Sequence, residues 1–254
     1  MTDQSVTALL DDEAGRGAPP SMSWPAIHEA VEGIMESFPR GRVLDMPCGA
    51  GALTWRLLRL GFDATGCDID TGNFAVAGHT AVEGDLSSRF PFENESFDHA
   101  VFVEGPEHVA DPLNAFREFA RVLKPGGKLV VTLPNYTSIT RRLKFLLNGT
   151  HEPVFSMEEA TATFGDALPM MHISPMTAAH IYQLLELAGM RLVSVHRDRR
   201  KRKQLALLPF AAIVMAIGRI DAKATRKYKL GIGNQWNVLM GGNTLILVAE
   251  KRTQ

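Results

Sequence analysis

The chain has 254 residues, enough for one large α/β domain with insertions. Apolar residues make up 45% of it and the formal charge is only −1, which together exclude a disordered chain. Two cysteines, Cys48 and Cys67, give neither a disulfide framework nor a zinc quartet, so a reducing cytoplasm is the expected setting.

Met1 to Pro20 is polar and acidic, without the basic and apolar regions of a signal peptide, and reads as a mobile tail ahead of a domain spanning 21–254. Pro25 to Phe38 carries Ile27, Ala30, Val31, Ile34 and Met35 at helical spacing. Val43-Leu44-Asp45 is a buried strand ending in acid, and Gly49-Ala50-Gly51 is a turn into a helix from Ala52 to Leu60. Such a turn builds a small-molecule site: its glycines admit close backbone approach, and the helix start offers free N–H groups. Cys48 reads as a small filler in it.

Phe62 to Asp70 is a second strand, again ending in acid. Asp68 lies 17 residues after Gly51, near the offset of roughly 20 residues at which an α/β nucleotide site sets a carboxylate on a ribose diol. Thr71 to Thr80 reads as a short helix, limited by Gly72 and Gly78. Ala81 to Leu86 and Phe97 to Glu104 read as strands three and four. Asp111-Pro112 starts a helix that buries Leu113, Phe116, Phe119, Ala120 and Leu123. Lys124 to Gly127 is a turn, and Lys128 to Pro134 a fifth strand. A helix over 138–147, a polar loop carrying His151 and His172, a helix from Thr177 to Ala188, and strands over 191–196 and 243–250 complete the chain. Strands alternating with helices predict a doubly wound, mostly parallel sheet of seven strands.

In this order the residues resemble class I S-adenosylmethionine-dependent methyltransferases, closest to the small-molecule branch of ubiquinone-type O-methyltransferases. Five segments carry the resemblance: Asp45-x-x-x-Gly49-x-Gly51, Gly66-x-Asp68, Gly84-Asp85-Leu86, Glu104-Gly105-Pro106-Glu107-His108 and Leu123-Lys124-Pro125-Gly126-Gly127. It implies a Rossmann-like fold with S-adenosylmethionine as cofactor and no metal. Asp45, Gly49, Gly51 and Glu104 would meet the methionyl end. Asp68 would bind the ribose hydroxyls, Ile69 would be a further cofactor contact, and Asp85 and Leu86 would lie at the adenine. Against these roles stand turn capping for Asp45 and Asp68, an Asx turn for Asp85, and a surface or N-cap role for Asp70. Gly105-Pro106 replaces the aliphatic pair common in relatives.

The implied reaction is in-line methyl transfer to a small molecule, more at oxygen than at nitrogen or carbon. His108 is the candidate general base, with local packing as its alternative. Tyr136 and His172 are candidate substrate contacts, both within the lid-like segment 135–175. A nicotinamide dehydrogenase would need a third turn glycine, and Gly51-Ala52-Leu53-Thr54 lacks it. A non-catalytic cofactor-binding or scaffold protein is the other alternative.

The segment 197–242 is an insertion before the last strand. From Arg197 to Lys229 there are eleven Lys/Arg against two Asp, a net +9 that leaves −10 for the rest of the chain. The split points either to an anionic partner or to a solvated, self-repelling loop. Within it, Leu205 to Ile217 is apolar but shorter than the ~20 residues of a bilayer span. It fits an in-plane anchor on an anionic membrane, with the chain peripheral at the inner face and a lipid or lipid-linked acceptor. It fits equally a cover over the active-site mouth or a homodimer interface. Few aromatics (Phe210, Tyr228) argue against nucleic acid.

Overall fold

The computed structural model describes residues 17–21, 23–165, 171–199, 201–220 and 230–253. The tail expected over 1–20 lies outside the described residues as far as residue 16, as do Arg200 and the cations of 221–229.

Seven strands form one sheet in the order β3-β2-β1-β4-β5-β7-β6. They are β1 (Arg42–Asp45), β2 (Asp63–Asp68), β3 (Val82–Glu83), β4 (Phe97–Phe102), β5 (Leu123–Pro134), β6 (Met190–Arg197) and β7 (Thr244–Lys251). The first five are parallel, and β7 runs antiparallel to both β5 and β6. The expected seven-stranded, mostly parallel sheet is therefore the one observed.

The period of two sorts side chains between the two faces. Val43, Val101, Val130, Ile246 and Val248 face one way. They meet α1 (Pro25–Met35) through Ile27, Val31 and Met35, and α2 (Ala52–Arg59) through Leu53 and Leu57. These positions recur at helical spacing, which is why the helices form against the sheet. Buried Arg56 of α2 pairs with Glu32 of α1 and ties the two together. Leu44, Ala100, Phe102, Leu129, Val131 and Leu247 face the other way. They meet α3 (Pro112–Val122) and α6 (Ala178–Leu187). Both helices have side-chain caps: Asp111 accepts from the Asn114 N–H at 3.1 Å, and Thr177 from the His180 N–H at 3.2 Å.

Two expectations are corrected. The stretch 71–81 forms no helix. Asp70 accepts from the Gly72 N–H (2.9 Å) and the Asn73 amide (2.8 Å), which holds the chain in turns. A loop thus covers the sheet edge where a helix was expected, and β3 shrinks to two residues. Second, the lid holds two helices: α4 (Ile139–Asn148), as expected, and α5 (Met157–Phe164), which was not. A reciprocal capping box between Ser156 and Glu159 starts α5. In the insertion, α7 (Leu208–Ile220) and the short α8 (Trp236–Leu239) lead into β7.

Phe119 is fully buried, with ring centroids 4.8 Å from Phe102 and 5.0 Å from Phe90. Phe119→Ala is expected to cost about 3–5 kcal/mol of stability, read as a lowered urea midpoint with an unchanged m-value.

Candidate active site

The carboxyl ends of β1, β2, β3 and β4 lie side by side, because Asp45 is in register with Gly66 and Val101, and Asp68 with Glu83. Asp45 is fully inside, with one oxygen accepting from Thr54 Oγ1 at 2.6 Å. Its other oxygen, Oδ1, has no hydrogen-bond partner. Burial pushes this carboxyl up to about 7, against the two Thr54 bonds and with a further push from Asp68. Asp68 accepts from the Gly49 N–H at 2.8 Å and the Asp70 N–H at 3.2 Å, so it also staples the glycine turn. Gly51 sits at φ +91°. A Cβ there would lie 2.5 Å from Val76 and 2.7 Å from Phe74. The 71–81 loop therefore presses on the turn and requires glycine at 51 for packing as well as for φ.

Asp85 forms an Asx turn, accepting from the Ser87 N–H at 2.7 Å and from Ser88 Oγ at 3.3 Å. Leu86 packs partly on the core. Ile69, next to Asp68, leaves an apolar side chain 69% exposed at the rim. Asp70 keeps the loop-capping role weighed for it.

Glu104 follows β4 at φ +50°, its N–H donated to Thr132 Oγ1 at 2.8 Å. Its Oε1 is buried without a partner, and burial, then Asp198, push the carboxyl up to about 7. Pro106–His108 make a short 3₁₀ turn. Gly105 opens it: a Cβ would come 2.3 Å from the Phe102 ring and 2.9 Å from Pro47, so the aliphatic residue of relatives has no room here. The turn aims Glu107 inward, where both carboxylate oxygens are buried and unpartnered. Burial, then Glu104, push Glu107 up to about 8.

His108 Nδ1 lies 3.1 Å from the Met171 carbonyl. A carbonyl only accepts, so Nδ1 holds the proton and Nε2 presents a lone pair. Burial holds His108 below the usual histidine value; the Met171 bond opposes this and nearby His172 adds to it. The His108 and His172 rings stand edge to face, centroids 5.0 Å apart. His172 Nδ1 is 3.1 Å from the hydroxyl of Tyr136 and 3.8 Å from Glu152. Burial, then Glu152, raise the Tyr136 hydroxyl well above its usual range. The structure thus brings His108, Tyr136 and His172 together.

Sequence reasoning gave no role to Glu107, Thr54 or Glu152. Glu107 stands inside a quoted motif, and its depth comes from the lid: the Ser174 N–H donates to the Glu107 carbonyl (2.9 Å) and Ser174 Oγ to the Val109 carbonyl (2.6 Å). No metal was expected. Yet Glu107, His108 and His172 each offer a ligand atom within 4.8 Å of the others, an oxygen-and-nitrogen set suited to a divalent cation.

The sheet order with an antiparallel β7, and an acid-glycine turn at the end of β1, define the class I methyltransferase architecture. Residues 44–131 match a family described as the methyltransferase domain, and over that stretch the chain is similar to the class I S-adenosylmethionine-dependent methyltransferases. A ubiquinone biosynthesis O-methyltransferase of Ruegeria pomeroyi is 34% identical over 111 residues, covering 41% of this chain and 45% of the relative. An uncharacterized methyltransferase of Mycobacterium bovis is 37% identical over 119 residues, covering 45% and 46%. The chain thus spans about half the length of the curated relatives it matches. A crystal structure of a Pyrococcus horikoshii protein shares the fold, with TM-score 0.57, 19% identity and 92% of each chain covered.

Asp45 supplies a direct check on the crevice. Its carboxyl titrates near about 4 when unfolded but at about 7 when folded, so the folded state holds the proton more tightly in between. Stability from this group therefore falls as pH rises from about 4 to 7. Asp45→Asn removes that loss: the ligand-free variant is expected to be more stable than wild type at about pH 8, by on the order of 2–4 kcal/mol, with the difference shrinking at about pH 4. Urea titrations of both proteins at the two pH values measure it, and parallel pH profiles would contradict the burial argument.

Proposed function

We propose that this protein transfers the methyl group of S-adenosylmethionine to a hydroxyl oxygen of a small-molecule acceptor. The observation that carries the reading is the pair Asp45 and Glu104. Each is a buried carboxyl with an unpartnered oxygen in the crevice at the neighbouring carboxyl ends of β1 and β4, Asp45 ending β1 and Glu104 lying just past β4. A ligand bearing an ammonium and a sulfonium fits that crevice, and a neutral one leaves its cost unrelieved. Asp45 and Glu104 would hold the methionyl end, with Gly49 and Gly51 allowing backbone approach. Asp68 would accept from the ribose hydroxyls using lone pairs its two N–H bonds leave free, Ile69 would cover the adenine, and Asp85 and Leu86 would bound its edge.

Bound S-adenosylmethionine supplies an activated methyl on sulfur; the chain supplies position and a proton acceptor. His108 Nε2 would take the hydroxyl proton as the new O–CH₃ bond forms, and Tyr136 and His172 would orient the acceptor. Since the base must be neutral, kcat at saturating S-adenosylmethionine, which separates this step from the titration of Asp45 and Glu104 in the free protein, is expected to fall on acidification below the ordinary histidine range of about 6.5. His108→Gln is expected to lower kcat by roughly 10²–10⁴ while leaving affinity for S-adenosylmethionine within about twofold. A wild-type turnover number in this variant would remove His108 from the mechanism.

Glu107 favours a second reading of the acceptor side. Both its oxygens lack partners, and a divalent cation held by Glu107, His108 and His172 would satisfy them and acidify a bound hydroxyl. Dialysis against a chelator separates the two: activity lost and restored by magnesium, manganese or zinc supports the cation, and unchanged activity leaves His108 as a simple base.

A lipid or lipid-linked acceptor, an anionic membrane as partner of 197–229 and a homodimer remain readings supported by the insertion. No helix of the described residues is long and apolar enough to cross a membrane. Calorimetry with S-adenosylmethionine and with NAD tests the cofactor: heat is expected with the first only, and Asp68→Ala is expected to weaken it at least ~10-fold, a loss of about 1.4 kcal/mol or more. Binding without transfer of labelled methyl to any component of a cell extract would favour a non-catalytic protein.

A further inference from the structure

Helix α4 of the lid and helix α7 of the insertion share one unpartnered apolar face. α7 turns Ala211, Val214 and Met215 toward a cluster with Ile139, Leu239 and Met240, and leaves Phe210 and Ile213 outward. The end of α4 leaves Leu146 77% exposed and Leu147 82% exposed, far more than a packed helix end requires. Leu143, Phe145 and Leu146 of α4 and Phe210 and Val214 of α7 line a single open groove. Arg142 of α4 reaches the insertion beside it, donating to Asn234 Oδ1 at 2.8 Å, and it also donates to the Thr137 carbonyl at 2.9 Å.

Cations border this face. Lys144 is exposed on α4 itself. Lys201, which donates to Asn243 Oδ1, stands close enough to Arg199, Arg141 and Lys144 that, after burial, these like charges pull it below the usual lysine value against Asp198, which Arg199 meets at 3.4 Å. Arg199 opens a run of five consecutive Lys/Arg ending at Lys203. An apolar patch beside concentrated positive charge is complementary to one surface above others: acyl chains beneath anionic headgroups. A second copy of the chain would instead bring like charges together.

The face also reaches the acceptor side. The Phe145 ring stacks on His151 with centroids 4.3 Å apart, and His151 lies 5.9 Å from the Tyr136 ring. Arg141 donates to the His151 carbonyl at 2.8 Å. A molecule leaving a bilayer under this face would meet α4 and then Tyr136.

We infer that the α4–α7 face seats on an anionic lipid bilayer, with Leu146, Leu147, Phe210 and Ile213 entering the acyl boundary and Lys144, Arg199 and Lys201 on the headgroups. This deepens the membrane reading of 197–229 by adding α4, which that segment does not contain.

Vesicle co-sedimentation of the full chain tests it, with phosphatidylcholine vesicles against mixed phosphatidylcholine–phosphatidylglycerol vesicles at low salt. Wild type is expected to pellet with the anionic vesicles only. Leu146→Asp with Leu147→Asp is expected to reduce that binding at least ~10-fold, and Lys144→Glu with Lys201→Glu to do the same. Circular dichroism and affinity for S-adenosylmethionine, unchanged in both variants, exclude misfolding as the cause. Wild type that stays in the supernatant overturns the inference. Loss on charge reversal with full binding by the Leu146/Leu147 variant overturns the α4–α7 face and leaves a purely electrostatic role for 197–229 standing. A dimer in solution that the Leu146/Leu147 variant converts to monomer assigns the face to a second copy and overturns the bilayer.

Discussion

Uncompensated negative charge inside the protein is the constraint on which the site depends. Asp45, Glu104 and Glu107 are buried with unpartnered oxygens, and all three titrate near neutrality because water is kept from them. A chain selected for stability alone would place apolar side chains there. The sheet instead spends part of its burial energy on holding these groups, and the two cores on its faces are large enough to carry them. Removing charge from the crevice should therefore stabilise the fold and weaken the ligand, an opposition common at functional sites.

The site divides into a half fixed by neighbouring strands and a half assembled by contacts distant in sequence. Asp45, Gly49, Gly51 and Asp68 belong to parallel strands and the turn between them, fixed by the register of β1 with β2 and β4 and by the Asp68–Gly49 bond. His108, Tyr136 and His172 belong to the turn after β4, the end of β5 and the lid, and meet one another only because the lid folds back. The Asp45–Asp68 half is thus set by local backbone geometry, and the His108–Tyr136–His172 half by long-range contacts.

That division also explains what could be read from the chain. The β1 strand, its terminal acid and the glycine turn follow one another within ten residues, and Asp68 is found by counting one helix and one strand onward. The helix expected over 71–80 fails because Gly72 and Gly78 weaken it and Asp70 offers its backbone N–H groups a competing partner. α5 has a legible start in Ser156 and Glu159, but it buries only Ala160 among its described side chains, so apolar spacing gives no signal. The role of Glu107 had no local trace. Next to a histidine after a strand, a glutamate reads as solvated, and its enclosure depends on Ser174, far along the sequence.

The contact between His108 and Met171 couples two properties usually treated apart. The carbonyl of a lid residue fixes which imidazole nitrogen is protonated, so the ring has a single tautomer only while that residue stays in place. A lid displaced to admit an acceptor would free the proton to move between the nitrogens, and its return would restore the lone pair toward the crevice. If His108 is the base proposed above, closing the compartment and fixing the free imidazole nitrogen would be one mechanical event.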